Sequence, residues 1–185
     1  MKFYPLLILL LLVCCVKETR VEDPLVPNFE TPDTPVVTTQ QKAICENGMA
    51  QIYPCLGYDL LSVISISNFG SKAGNDNWGW TDPETGKEYV LSGLDDGTAF
   101  VDISDPENPV ILGKLPTATD ASWWRDIKVF KDHAFIVSEA QNHGLQVFDL
   151  TRLREVSSPQ TFTPDTRLTE FGNAHNIWIN EASGY

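Results

Sequence analysis

The stretch L-S-G-L-D-D-G-T-A-F-V-D-I-S, residues 91–104, returns with changes as V-S-E-A-Q-N-H-G-L-Q-V-F-D-L-T, residues 137–151. The second copy carries one inserted residue and lies 46 to 47 positions further along the chain. In each copy an apolar run ends in serine, a polar loop leads to Gly97 or Gly144, and a second apolar run follows. Two short apolar runs joined by a glycine-containing turn predict a β-hairpin in each copy.

Sequence upstream of these copies also repeats, so the repeating unit is longer than a hairpin. The motif W-T-D at residues 80–82 matches W-R-D at residues 124–126, and A-H-N-I-W-I at residues 174–179 resembles residues 125–129 a third time. The unit is therefore expected to begin near the W-x-D motif. Within the second unit we predict strands at residues 126–130, 134–139 and 145–150, and a fourth, outer strand near residues 159–163.

A repeat of about 45 residues with four short strands is typical of a β-propeller blade. We therefore predict an all-β fold, a β-propeller built from four-stranded repeats. The third repeat has barely begun at Tyr185, so residues 43–185 are expected to hold only the N-terminal blades of a longer propeller. A β-sandwich is the competing interpretation, but it does not predict one pattern recurring three times at a constant period.

The first residues have the pattern of an export signal. Lys2 precedes an apolar run that ends at Cys14 and Cys15, which predicts a lipoprotein-type signal peptide over residues 1–14. That run is too short for a membrane-spanning helix of about 20 residues. We expect Cys15 to carry the lipid, with Cys14 as the alternative. The protein is therefore predicted to be an outer-membrane or cell-surface lipoprotein, or a secreted protein if neither cysteine is lipidated.

Residues 15–42 are rich in proline, threonine and acidic residues and are predicted to form an extended tether between the lipid and the folded domain. The whole chain has a formal charge of −12, which disfavours nucleic acid as a partner and suits divalent cations. Cys45 and Cys55 follow the tether, and in an exported protein they predict one disulfide. A zinc site or a nucleophilic cysteine would need partner residues that the neighbouring sequence does not offer.

Several of these motifs, taken in order, resemble the choice-of-anchor B family, whose members carry LVIVD-type repeats. The matching stretches include the cysteine-flanked segment at residues 45–55, G-N-D-N-W-G-W-T-D at residues 74–82, G-T-A-F-V-D-I-S at residues 97–104 and H-G-L-Q-V-F-D-L at residues 143–150. The resemblance covers residues 43–185. It implies an exported β-propeller held at the cell surface, here by an N-terminal lipid, and it implies no particular activity.

One edge of the predicted blades gathers acidic and histidine residues. The first two strands of a unit are antiparallel, so the start of one and the end of the other share an edge. Carboxylates and imidazoles from successive blades could bind calcium, zinc or a small ligand. The competing interpretation is that Asp82 and Asp126 cap turns and bind backbone amides, while the Trp side chains pack between blades. The candidates are Arg125, Asp126, Glu139 and His143, joined through repeat equivalence by Asp82, Asp95, Asp96, His175 and Asn176.

No nucleophile motif, zinc-protease motif or phosphate-binding glycine loop is present in the sequence. We therefore predict a binding or interaction module whose partner is an extracellular protein, a glycan or a small ligand. The alternative is a metal-dependent extracellular propeller hydrolase, because propeller enzymes assemble their sites from scattered loop residues. A purely structural role in the cell envelope is a third interpretation.

Overall fold

The structure, a computed structural model, describes residues 42–185. Regular structure within these residues consists of strands and two short 3-10 helices, Ile66–Phe69 and Leu150–Leu153. This confirms the predicted all-β class. The strands are β1 (Met49–Ala50), β2 (Tyr53–Pro54), β3 (Gly74–Thr81), β4 (Glu88–Leu94), β5 (Gly97–Asp102), β6 (Val110–Pro116), β7 (Arg125–Phe130), β8 (His133–Ser138), β9 (Leu145–Asp149), β10 (Gln160–Thr161) and β11 (Thr166–Leu168).

The described strands form three sheets of two, five and four strands, and these do not close into a ring. The five-stranded sheet, called sheet 1, has the order β10-β6-β5-β4-β3, and the four-stranded sheet, called sheet 2, has the order β11-β9-β8-β7. The predicted signal peptide, Cys14, Cys15 and the tether up to residue 41 lie outside the described residues. Within residues 42–185 no helix is long and apolar enough to cross a membrane.

Both predicted hairpins form where the repeated sequence placed them. In sheet 1, β4 and β5 pair from Tyr89 opposite Asp102 to Leu94 opposite Gly97, so two residues close the turn. In sheet 2, β8 and β9 are joined by a longer loop that ends at Gly144, whose φ of 65° is left-handed and suits glycine. Gly97 is the first residue of β5 and Gly144 ends the loop before β9, so the repeated glycine stands where each hairpin enters its second strand.

The fourth strand of the second unit was placed wrongly. The predicted segment near residues 159–163 contains β10, but β10 pairs parallel with β6 of sheet 1. The fourth strand of sheet 2 is β11, which pairs antiparallel with β9. A register shift between Phe100 and Val101 and a φ of 146° at Gly113 let the backbone of residue 160 approach β6 closely. Residues 174–179, where a third repeat was expected, form no regular strand.

An aromatic cluster joins the two sheets. Phe100 of β5 stacks on Phe148 of β9 with ring centroids 4.6 Å apart, and Phe162 meets both rings edge-on. All three side chains are buried. Edge-to-face and stacked pairs add about 0.5–1.5 kcal/mol each to the free energy gained from burial. Because Phe162 directly follows β10, the pairing of β10 with sheet 1 delivers this ring to the core.

The N-terminal end of the described chain is fixed by the predicted disulfide. Cys45 and Cys55 are bonded, and they enclose the small antiparallel hairpin of β1 and β2. Paired backbone hydrogen bonds between Ala43 and Leu60, 2.8 and 2.9 Å long, close the loop further. A cross-link around so short a loop stabilises by about 2–3 kcal/mol, mainly by restricting the unfolded chain.

Gly113 is predicted to be the most sensitive glycine of sheet 1. A Cβ at this position would lie 2.0 Å from the carbonyl oxygen of Gln160 and 2.8 Å from the ring of Phe162. We expect Gly113→Ala to lower the free energy of unfolding by about 2 kcal/mol or more, measured by urea denaturation. Gly79→Ala is the matched control, because its Cβ would meet its nearest neighbour at 4.0 Å. Equal losses in the two variants would contradict this account of β10.

Candidate functional site

Most of the candidate residues lie at one edge of sheets 1 and 2. This edge is formed by the starts of β3, β5, β7 and β9 and the ends of β4, β6 and β8, and we call it the Trp edge because Trp123 and Trp124 lead into β7. Hydrogen bonds between the sheets align their edges, since Arg125 Nε donates to Leu94 O and Gln146 Nε2 to Pro116 O. The candidates at this edge are Asp95, Asp96, Arg125, Asp126, Glu139, His143, His175 and Asn176.

Asp82 lies at the opposite edge, which corrects the predicted equivalence with Asp126. It follows the end of β3, whereas Asp126 is the second residue of β7. Its carboxylate accepts two hydrogen bonds from Arg154, at 2.7 and 2.8 Å, and one from the hydroxyl of Thr85 at 2.7 Å. The side chain is fully buried. Hydrogen bonds from Arg154 hold the pKa of Asp82 well below its usual range, so this carboxylate is a structural anion.

The structural equivalent of Asp126 is Asp76, which the sequence comparison missed. Asp76 Oδ2 accepts a hydrogen bond from the N–H of Ile127 at 2.8 Å, and Asp126 Oδ2 accepts one from the N–H of Ile177 at 2.7 Å. Asn176 continues the series, with its Nδ2 3.4 Å from Asp126 Oδ2. These side chains recur at positions 76, 126 and 176. A constant spacing of Asp or Asn was therefore the signal that could have identified them.

Lys128 compensates the charge of this carboxylate pair. Its Nζ lies 2.5 Å from Asp126 Oδ1, 3.9 Å from Asp76 Oδ2 and 4.4 Å above the ring of Trp78. Burial opposes the ionisation of Asp126, but the hydrogen bonds from Lys128 and Ile177 outweigh it and lower the pKa. Burial raises the pKa of Asp76. Both aspartates thus stabilise the contact between successive units, which favours the structural interpretation of Asp126.

Arg125 and His143 form a buried pair behind the Trp edge. Arg125 Nη1 lies 3.1 Å from His143 Nε2, and His143 Nδ1 lies 3.0 Å from the carbonyl oxygen of Gly144. Both contacts are satisfied by a neutral imidazole with its proton on Nδ1. Burial lowers the pKa of His143 and lowers the pKa of Arg125 to about 10. Since both ring nitrogens are engaged and the side chain is fully buried, His143 is not placed to bind a ligand.

Glu139 and His175 form an accessible pair of candidates at the Trp edge. His175 Nδ1 lies 2.6 Å from Glu139 Oε1, and the two side chains are 56% and 39% exposed. The ring of Trp124 lies 5.7 Å from the imidazole of His175. The sequence placed Glu139 and His175 at this edge, and the interpretation that packs the tryptophans between blades is wrong for Trp124, whose side chain is 55% exposed. The accessible site is therefore an aromatic ring beside a hydrogen-bonded carboxylate and imidazole.

The described residues do not form a metal centre. Among residues 42–185 no group of three His, Cys, Asp or Glu side chains is arranged to bind a metal ion. The aspartates that suggested such a site are engaged by Arg154, by Lys128 and by backbone N–H groups. Their negative charge is already compensated within the fold, so the geometry gives no support to the predicted calcium or zinc site.

Comparison with known proteins assigns no family. No protein-family model matches the chain, and no curated protein or solved structure is significantly similar to it. The resemblance to the choice-of-anchor B family therefore stays a prediction. Function has to be argued from the residues themselves.

The pairing of Arg154 with Asp82 predicts a pH-dependent loss of stability. The lowered pKa means that the ionised Asp82 stabilises the folded state at pH values above its unfolded pKa of about 4. This contribution is lost as the pH falls through the folded-state pKa. Arg154→Met is therefore expected to lower Tm by several degrees between pH 5 and 8, by thermal unfolding, and by progressively less below about pH 4.

Lys42→Met is the matched control for this measurement. Lys42 pairs with Glu107, and the two side chains are 53% and 47% exposed. Exposed ion pairs contribute little to stability because water screens them. A shift in Tm equal to that of Arg154→Met, or one independent of pH, would show that Asp82 does not act as proposed.

Proposed function

We propose that the protein is an exported, lipid-anchored β-propeller that serves as a binding module, with its ligand held at the Trp edge. The propeller interpretation is supported by two successive sheets, antiparallel except where β10 joins β6, that pack through Phe100 and Phe148. It is further supported by the bond between Asp126 and the N–H of Ile177, which attaches the start of a third unit in the way that Asp76 attaches the second.

The observation that carries the binding role is the contrast between engaged and accessible groups. Asp82, Asp126 and His143 would be the natural acids, bases or metal ligands of an enzyme, and each is buried and hydrogen-bonded within the fold. Trp123 and Trp124 are instead 70% and 55% exposed. Exposed tryptophans are enriched at recognition surfaces, since each offers a large apolar area with one hydrogen-bond donor. The edge is thus suited to holding a ligand.

Attachment to the membrane belongs to the same proposal. The apolar run before Cys14 and Cys15 and the proline-rich residues 15–42 would place the binding edge away from the lipid surface, where extracellular ligands can reach it. The acidic charge of the chain suits a module that stays soluble beside a membrane and does not bind nucleic acid.

Screening the full chain against arrays of extracellular proteins, peptides and saccharides tests the binding role. We expect reversible binding to at least one class without chemical conversion of the ligand. The double variant Trp123→Ala/Trp124→Ala should weaken that binding at least about tenfold, because aromatic anchors dominate binding free energy. Tyr58→Ala is the matched control, since Tyr58 is 83% exposed and lies outside the edge. Binding that is indifferent to the double variant, or ligand conversion, would refute the proposal.

A further inference from the structure

The backbone of Trp124 is fixed by hydrogen bonds although its side chain is exposed. Its carbonyl oxygen accepts hydrogen bonds from Glu139 N at 3.2 Å and Ser138 Oγ at 3.1 Å, and its N–H donates to Ser122 Oγ at 3.3 Å. The backbone of Trp123 is fixed as well, because its carbonyl oxygen accepts from Asn75 Nδ2 at 3.1 Å. A fixed backbone leaves only side-chain rotamers to be ordered on binding, which lowers the entropic cost of holding a flat apolar partner.

Hydrogen-bonding groups lie beside the Trp124 ring. Glu139 contributes carboxylate oxygens, which accept hydrogen bonds, and its contact with His175 Nδ1 orients both side chains. When Nδ1–H donates to this carboxylate, Nε2 of the same imidazole is an acceptor, and the imidazole lies 5.7 Å from the Trp124 ring. Asn173 Nδ2 donates to the carbonyl oxygen of Glu139 at 3.3 Å and supports the same loop. These groups form a rim of acceptors beside the ring, and the indole N–H of Trp124 adds a donor.

The charge of this rim limits the class of ligand. Glu139 bonds to the backbone of Trp124, and the exposed Asp120 precedes Trp123 by three residues in a chain of formal charge −12, so phosphate, sulfate or uronate groups would be repelled. A quaternary ammonium ion would use the indole face and the carboxylate. Such an ion has no hydrogen-bond donor for the imidazole of His175, and the carboxylate that would balance its charge is already hydrogen-bonded to that imidazole. A quaternary ammonium ion therefore fits the site poorly.

Hydroxyl groups fit this rim because each one both donates and accepts hydrogen bonds. A pyranose ring combines such hydroxyls at its margin with a flat face of C–H groups, whose slightly positive hydrogens match the negative face of an indole. We propose that Trp124, together with Trp123, Glu139 and His175, binds an uncharged saccharide. This inference rests on the proposed binding function and adds the chemical class of the ligand.

Calorimetric titration of the full chain with uncharged gluco-, xylo- and chito-oligosaccharides tests the inference, with oligogalacturonate and choline as charged comparisons. We expect at least one neutral oligosaccharide to bind at least about tenfold more tightly than either charged probe. Trp124→Ala should weaken that binding at least about tenfold, and Trp124→Phe by clearly less, since a phenyl ring keeps part of the stacking surface. Thermal unfolding of each variant separates loss of binding from loss of folding.

The variant Glu139→Gln distinguishes a saccharide from an organic cation, the two ligand classes that a carboxylate beside an indole could bind. The amide keeps an acceptor and removes the charge, so saccharide binding should weaken only a few-fold, whereas binding of a cation would be largely lost. Choline binding that depends on Glu139, or no binding by any neutral oligosaccharide, would overturn the saccharide inference. A protein or peptide ligand that needs the two tryptophans would overturn it while leaving the proposed binding function intact.

Discussion

The carboxylate of Asp76 accepts a hydrogen bond from the N–H of Ile127, and this bond sets where sheet 2 begins against sheet 1. Because β7 is an edge strand of sheet 2, its fully buried Ile127 has no neighbouring strand to supply an acceptor. An unpaired buried N–H costs about 1–3 kcal/mol. Carboxylate oxygens of Asp76 and of the adjacent Asp126, 2.8 and 3.0 Å from this nitrogen, remove that cost, and the bond to Asp76 also links the two sheets.

The same device occurs once more along the chain, where Asp126 accepts from the N–H of Ile177. Burying two carboxylates close together would be unfavourable without a cation, and Lys128 lies between them. The contact between sheets 1 and 2 is therefore stabilised by the two aspartates, by Lys128 and by the phenylalanine cluster. Hydrogen bonds fix its register, and apolar packing of rings such as Phe100 and Phe148 supplies most of its stabilisation.

Local sequence was sufficient to predict the two repeated hairpins, the glycine before the second strand of each and the Cys45–Cys55 disulfide, because each depends on residues that are close in the chain. It could not predict that β10 joins sheet 1. That strand has only two residues, and its place is determined by Gly113 and by the burial of Phe162 against a distant sheet. Short strands carry too little hydrophobic periodicity to reveal their partners.

The error at Asp82 has a physical cause as well. The motif W-x-D occurs at residues 80–82 and 124–126, yet Trp80 is buried and stacks on Tyr89, while Trp124 is exposed. The residue types match, but the first motif lies at the end of its strand and the second at the start of its strand. Equivalent positions are identified better by residues that bond from one unit to the next, as Asp76 and Asp126 do. Such a contact must recur wherever the next unit packs in the same way.

The two edges of the sheets differ in a way that bears on function. At the edge that holds Asp82, this buried carboxylate is bonded to Arg154 and is not free to receive a ligand. At the Trp edge Asp126 is likewise paired, with Lys128, but the loops before β7 and after β8 carry Trp124 and Glu139 outward. Folding would be served as well by polar residues at those loop positions, since an exposed indole contributes little burial. An exposed indole contributes burial free energy only when a partner covers it. For that reason the two loops with Trp124 and Glu139, and not the aspartates, are the basis for inferring recognition.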